Sequence, residues 1–357
     1  MTARGESSAY DAILVVGFGG PERREDVMPF LENVARGRNV PYERLVEVAG
    51  HYHDLGGASP INSQVRALIA CLRSELNRRS IALPIFWGNR NWDPFLADTL
   101  VKMTAAGVKR ALAVVLAAYS SYSSCRQYRE DIARAQAAAG PDAPHVDKIR
   151  LFYNHPDFIA ANSDRVLGAM ATLGVENRDA QHLVFTAHSI PVAMARGCDY
   201  EQQLREACRL VAGEVGIGSE RWSLVYQSRS GRPSDPWLEP DVLDHLRNLR
   251  SRGVTDVLIH PIGFLSDHME VLHDLDVEAR DCALALGIRL VRSQTVGTHD
   301  RFVALLGELI AERTGGLAGQ TPRSVGRFGP GHAICPDACC LPPSRPTAPL
   351  GKTPGSA

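Results

Sequence analysis

Gly107-Val-Lys-Arg-Ala-Leu-Ala-Val-Val-Leu116 and Gly253-Val-Thr-Asp-Val-Leu-Ile-His-Pro-Ile262 repeat one pattern. Each follows a helical stretch, opens on Gly-Val, continues as an apolar strand and runs into a polar strand end. Those ends are Tyr119–Ser124 and Phe264–Glu270. A second pair lies upstream: Ile13–Pro21 and Val184–Pro191 are apolar strands closing on small residues and a proline. Further strands are read at Asp11–Gly20, Leu83–Trp87, Ala111–Ala117, His182–Thr186, Leu224–Gln227, Val257–Ile262 and Arg289–Arg292. Helical periodicity covers Arg24–Val34, Gln127–Ala138, Gln202–Val215, Pro240–Ser251, Val271–Leu286 and Asp300–Arg313. Strand alternating with helix is the pattern of parallel α/β sheets. The repeat divides the chain near residue 150 into two similar domains, 9–150 and 151–315. Residues 316–357 form an extension rich in Gly and Pro, and its Leu341–Ala357 end reads as disordered. Ligands of such sheets bind beyond the carboxyl ends of the strands. This predicts a cleft lined by Phe18–Gly20, Tyr119–Ser124, Thr186–Ser189 and Phe264–Glu270.

The 357 residues suit two domains better than one core. With 39 basic and 40 acidic residues the net charge is -1, and the basic excess of a nucleic-acid binder is missing. No apolar run approaches the roughly 18–20 residues of a membrane span. Met1–Tyr10 is polar, without an apolar signal core, so a cytoplasmic protein is expected. Of eight cysteines, Cys335, Cys339 and Cys340 crowd into six residues. In a reducing compartment such crowding points to metal before disulfide. A fourth thiolate from the body of the protein would complete a tetrahedral set for an iron–sulfur cluster or zinc; loose surface thiols are the plain alternative.

His188, in Thr186-Ala-His-Ser-Ile-Pro191, ends an apolar strand, where an imidazole can take a proton or bind a metal. Glu270, Asp274 and Glu278 are spaced by four and stack on one helical face. Three like charges repel unless cations screen them, so the stripe reads as a path for a divalent metal or as a solvated acidic face. The turn Gly17-Phe18-Gly-Gly-Pro21 lacks the Lys and third spaced Gly of nucleotide loops. Arg36 and Arg38, followed by Gly56-Gly-Ala-Ser59-Pro-Ile-Asn62, can hold carboxylates.

Together these segments resemble ferrochelatase over roughly residues 10 to 315. The resemblance rests on Phe18-Gly-Gly-Pro, Gly56-Gly-Ala-Ser-Pro-Ile, Gly88-Asn-Arg-Asn-Trp, Thr186-Ala-His-Ser-Ile-Pro, Tyr226-Gln-Ser-Arg-Ser-Gly and Pro261-Ile-Gly-Phe-Leu-Ser-Asp-His-Met-Glu, in that order. It is similar in flavour to actinobacterial enzymes that act on coproporphyrin III. The resemblance implies two Rossmann-like, chelatase-type domains with a porphyrin cleft between them. It implies that His188 and Glu270 face each other across the cleft and handle ferrous iron and pyrrole protons. Asp274 and Glu278 match the outer metal path. Ser59, Tyr122 and Phe18 match porphyrin-contacting positions, and Arg36 lies near residues that hold propionates. Phe18 stands where some soluble members carry an axial tyrosine, and a phenyl ring cannot ligate iron. Cluster-bearing members join three C-terminal cysteines to one from the first domain. Cys125 matches that position best, with Cys198 the alternative, giving a [2Fe–2S] cluster on Cys125, Cys335, Cys339 and Cys340. The 335-339-340 spacing is tighter than the family's usual pattern.

The expected activity is insertion of Fe2+ into coproporphyrin III, with protoporphyrin IX the alternative substrate. The charged segment Phe30–Gly57 favours the tetracarboxylate. A downstream coproheme-processing enzyme is the expected partner. A non-catalytic tetrapyrrole or metal carrier would have no need of both His188 and Glu270, and a sibling enzyme loading cobalt or nickel fits the length and cysteine tail less well.

Overall fold

A computed structural model describes residues 10–37, 40–174, 181–230, 234–317 and 319–342. Arg38 and most of the proline-rich tail lie outside the described residues. The first half runs β1 (Ala12–Gly17), α1 (Val27–Ala35), α2 (Tyr42–Asp54), α3 (Ile61–Arg78), β2 (Ile85–Asn89), α4 (Leu96–Ala105), β3 (Arg110–Val115), α5 (Gln127–Ala139) and β4 (His145–Lys148). Then follow α6 (Pro156–Leu173), β5 (Gln181–His188), α7 (Val192–Ala195), α8 (Tyr200–Glu214), β6 (Trp222–Gln227), α9 (Val242–Ser251), β7 (Asp256–His260), α10 (Met269–Val271), α11 (Arg280–Leu286), β8 (Arg289–Arg292) and α12 (Asp300–Thr314).

The strands form two four-stranded parallel sheets, ordered β2-β1-β3-β4 and β6-β5-β7-β8. Adding four to each strand of the first gives the second, so the repeat read in the sequence is a repeat of topology. All six residues of β1 and all five of β7 are buried, which is why these strands show continuous apolar runs. The Gly-Val openings have one cause in both halves. Gly107 and Gly253 end α4 and α9 at positive φ (78° and 85°). The valine that follows each donates its N–H five residues back, Val108 to Met103 and Val254 to Leu249, the closing bond of a Schellman cap.

The helix predicted over Val271–Leu286 is not one α-helix. Leu272–Ala279 is π-helical between α10 and α11, and Tyr122–Arg126 is π-helical before α5. Both π segments follow the corresponding strand, β7 and β3. Single π turns recur at functional sites.

The largest hydrophobic core is continuous through both halves, with Ile13, Leu112 and Leu72 beside Phe158, Phe185 and Phe302. The last helix, α12, packs on both α3 and α6. A smaller cluster joins Val27, Phe30, Leu31, Ala49 and Tyr52 of the first half to Met269 of the second. No helix among the described residues is long and apolar enough to cross a membrane.

Candidate metal-insertion site

The carboxyl ends of β1, β3, β5 and β7 are brought together. Tyr119, beyond β3, donates its hydroxyl to the Ile262 carbonyl beyond β7 at 3.1 Å. The Asp267 N–H donates to Gln64 of α3 at 2.9 Å. Gly263 fits against β5 because any Cβ there would fall 2.7 Å from Ala187. That contact presses the Phe264–Glu270 loop against the residue before His188.

His188 and Glu270 do not face each other from opposite halves as expected: His188 ends β5 and Glu270 follows β7, neighbours in the second sheet, and Nε2 lies 3.7 Å from the Glu270 carboxylate, with the two side chains 34% and 51% exposed. His188 Nδ1 donates to the Ser189 carbonyl. Since a carbonyl only accepts, this bond puts the neutral ring's proton on Nδ1 and leaves the Nε2 lone pair facing Glu270. Tyr200 donates to the His188 carbonyl at 3.0 Å and anchors the backbone. Glu270 is fixed from its own side, since its N–H donates to His268 Nδ1 at 3.2 Å, and His268 packs edge-on against Phe264.

Asp274 sits one turn further on. Its carboxylate accepts from Ser228 and from the Gln227 amide at 3.3 Å. Burial raises its carboxyl to about 6, with Glu270 and Glu278 adding to the shift and the Ser228 hydrogen bond opposing it. A raised carboxyl stabilises the fold while protonated, below the unfolded value near 4; that contribution is lost as pH climbs through about 6. Asp274→Asn is therefore expected to stabilise the metal-free protein at pH 7.5 by on the order of 2 kcal/mol and to do little at pH 4. Urea unfolding at the two pH values checks this, and an equal effect at both would contradict it.

Other predicted residues are placed differently. Ser59 is 7% exposed, and its N–H donates to the Pro21 carbonyl, so it braces the Phe18–Pro21 turn from beneath. Tyr122 spends its hydroxyl on Glu130 at 3.2 Å. Phe18 is 40% exposed and packs edge-on against Phe30 at 6.5 Å. Arg36, at the end of α1, is exposed. The segment containing Arg36 and Arg44 is less polar than its charges suggest: Tyr42 and Val46 of α2 are 59% and 47% exposed.

The four cysteines do not form one tetrahedral centre. Among the described residues no three cysteine sulfurs lie within 4.8 Å of one another. Cys339 and Cys340 sulfurs are 3.4 Å apart, with Cys340 at φ 53°. Cys335 is drawn instead to Cys125. The hydrogen bond from the Cys125 thiol holds Cys335 down at about 5, with Lys148 and Arg129 adding to the effect, while Cys125 itself is pushed up. Burial raises Cys340 to about 12. Cys198, the alternative ligand, lies near enough to Cys339 and Cys340 to interact with both.

Sequence reading missed His273. Its Nδ1 lies 3.5 Å from Asp274 and 3.9 Å from Glu278. The only signal in the sequence was its position inside the acidic stripe.

The site and fold define a class: a two-sheet chelatase-type α/β protein with a histidine and a carboxylate at converging strand ends. The solved structure of SirB from Bacillus subtilis with Fe3+ shares this fold at TM-score 0.52 and 14% identity, covering 87% of this chain and 97% of that one. The family model described as Ferrochelatase matches residues 10–314. A ferrochelatase of Rhodopirellula baltica is 52% identical, with 97% of this chain and 98% of the relative covered. Coproporphyrin III ferrochelatases of Streptomyces coelicolor and Nocardia farcinica are each 48% identical, covering 94% and 95% of this chain and 94% and 99% of theirs. The chain belongs to the ferrochelatase family, and it is a metal-insertion enzyme of the lyase class.

Proposed function

We propose that this enzyme inserts Fe2+ into coproporphyrin III in a cleft between its two halves, divided near residue 150, with His188 and Glu270 as the catalytic pair. The observation carrying the site is the 3.7 Å approach of the His188 Nε2 lone pair to the Glu270 carboxylate at converging strand ends. Metallation releases two pyrrole protons and requires the hydrated ion to shed water. One proton goes to His188 Nε2 and the other to Glu270. Strain that puckers the macrocycle is drawn from binding elsewhere on the ring. Asp274 and Glu278 continue the carboxylates outward as the path of the incoming ion.

Relatives named for coproporphyrin III support the tetracarboxylate as substrate, as does Arg36 at the end of α1. Two propionates more than protoporphyrin IX carries give two more charge-assisted contacts, so kcat/KM is expected to favour coproporphyrin III by about tenfold or more. An anaerobic assay with ferrous iron and each porphyrin in low detergent decides it. Equal or reversed constants would make protoporphyrin IX the substrate. The setting is cytoplasmic, and a coproheme-consuming enzyme is the natural recipient of the product.

The [2Fe–2S] assignment rests on pairing. Each iron of such a cluster takes two thiolates; Cys339 and Cys340 sulfurs are 3.4 Å apart, and Cys125 and Cys335 are near enough to interact electrostatically. Bound there, a cluster would tie the extension to α5, a tie already begun by Arg129 donating to the Pro336 carbonyl at 3.1 Å. No step of metal insertion is assigned to it. Cys125→Ser is expected to lose iron, sulfide and visible colour together. Zinc in the purified protein, or colour lost in Cys198→Ser and kept in Cys125→Ser, overturns this ligand set.

A further inference from the structure

Among the described residues nothing grips the Glu270 carboxylate within hydrogen-bond distance. The side chain is 51% exposed, and the imidazole nitrogens nearest it, His188 Nε2 and His268 Nδ1, lie 3.7 and 4.0 Å away. A carboxylate held so loosely goes where its backbone carries it. The place of Glu270 is therefore decided by what fixes the chain on either side of it.

Both sides are gripped by one guanidinium. Arg292 ends β8, the neighbour of β7 in the second sheet. Its Nε and Nη2 donate to the two carboxylate oxygens of Asp276 at 2.5 and 2.8 Å, a fork on a single acid. Its Nη1 donates to Asp267 at 3.2 Å and to the Ser293 carbonyl at 3.2 Å. Asp267 precedes α10 and Asp276 lies in the π-helical turn that follows it, so Glu270 sits between the two. The Arg292 side chain is only 14% exposed, and a pair shielded from water holds its geometry better than a solvated one. Its own platform is firm. The Ser293 N–H donates to the Ile259 carbonyl of β7 at 2.9 Å, and the Gly297 N–H donates to the Leu265 carbonyl at 2.8 Å. Asp267 is pinned a second time by its N–H to Gln64 of the first half. The two acids that Arg292 takes are the ones in this segment outside the proposed metal path, so it is placed to hold the segment rather than to neutralise the path.

We propose that Arg292 is a positioning residue for metal insertion, keeping Glu270 beside His188 by gripping Asp267 and Asp276 at the same time. The inference rests on the catalytic pair put forward above. Lysine cannot do the same, because an ammonium is a point donor and cannot span a fork on one carboxylate and a further bond to another. A carboxylate misplaced by about 1 Å is enough to slow a reaction up to roughly 100-fold.

The test is a cycle of variants in the full-length protein, assayed anaerobically with ferrous iron and coproporphyrin III, both saturating. Arg292→Met and Arg292→Lys should each lower kcat by about tenfold or more, with the porphyrin KM changed by less than about twofold. In a Glu270→Gln background the same two substitutions should change the residual rate by less than about twofold, because the group they position is already gone. Circular dichroism and urea unfolding establish that each variant is folded at the assay temperature; if Arg292→Met is not, Arg292→Lys carries the test. Wild-type kcat in Arg292→Lys would reduce the arginine to a counter-charge and overturns the proposal. So does a loss confined to KM, or a loss of equal size in both backgrounds, which would make the role of Arg292 independent of Glu270. A slow Glu270→Gln enzyme with fast Arg292 variants removes only this inference, whereas a Glu270→Gln enzyme as fast as wild type removes the catalytic pair beneath it.

Discussion

His188→Ala is expected to lower the rate of iron insertion by about 100-fold or more while leaving the fold intact. The size follows from what the ring alone supplies. Its Nδ1 is tied to the Ser189 carbonyl, so Nε2 presents a lone pair toward Glu270 and substrate. Neighbouring His268 cannot replace it through Nδ1, which already accepts the Glu270 N–H. Water in the vacated space would be a poorly positioned and weaker base. The fold should tolerate the change because the ring is 34% exposed and Tyr200 holds the backbone carbonyl, which alanine retains. Initial rates with coproporphyrin III, alongside thermal unfolding of both proteins, give the comparison. Activity above about a tenth of wild type would remove His188 from the essential step. Glu270→Gln is the companion variant. It retains shape and the backbone bond to His268 but cannot take a proton, so a loss as large as that of His188→Ala assigns proton acceptance to the pair.

Why one proposed catalytic side chain could be read and other features could not follows from local physics. β1 and β5 are buried along their length, and burial on both faces leaves continuous apolar runs that end visibly. His188 was legible because it ends the buried run of β5 and is its first residue that is not fully buried. The Gly-Val echo was legible because a left-handed glycine and a valine packed on the core are both needed to turn a helix back into a sheet. β4 was not: His145-Val-Asp-Lys is a four-residue edge strand with only partial burial and no alternation. α6 spends its buried face on Asn162 and Ser163 as well as apolar residues, which blurs its period. Asn162 accepts from His260 at 2.8 Å inside the core. The acidic stripe was found with α-helical spacing, but its geometry is π-helical, and so His273 was left out. The cysteine cluster illustrates a different limit. Spacing placed three thiols in six residues, yet pairing was decided by a contact with Cys125 some two hundred positions away.

Arg150→Met is expected to cost about 3–5 kcal/mol of stability. Arg150 is 4% exposed and follows β4, in the segment that joins the two halves. Its guanidinium makes two parallel bonds of 2.9 Å to Glu312 near the end of α12. It also donates to the Arg323 carbonyl at 3.0 Å, so one side chain fastens the last helix and the extension to the first half. Asn154 reinforces the extension by donating to Phe328 and Gly329 carbonyls at 2.9 and 3.1 Å. Methionine fills much of the volume but strands the Glu312 carboxylate, whose side chain is 14% exposed. The stranded charge supplies most of the loss, because a well-formed buried pair contributes little beyond its own desolvation. The double variant Arg150→Met/Glu312→Leu should therefore recover a large share of what the single variant loses. Urea unfolding of wild type, both single variants and the double closes the cycle. A loss below about 1 kcal/mol for Arg150→Met would mean the pair is effectively solvated. A double variant no more stable than the single would place the loss in the Arg323 contact instead, making the extension, not the charge pair, the element that Arg150 holds.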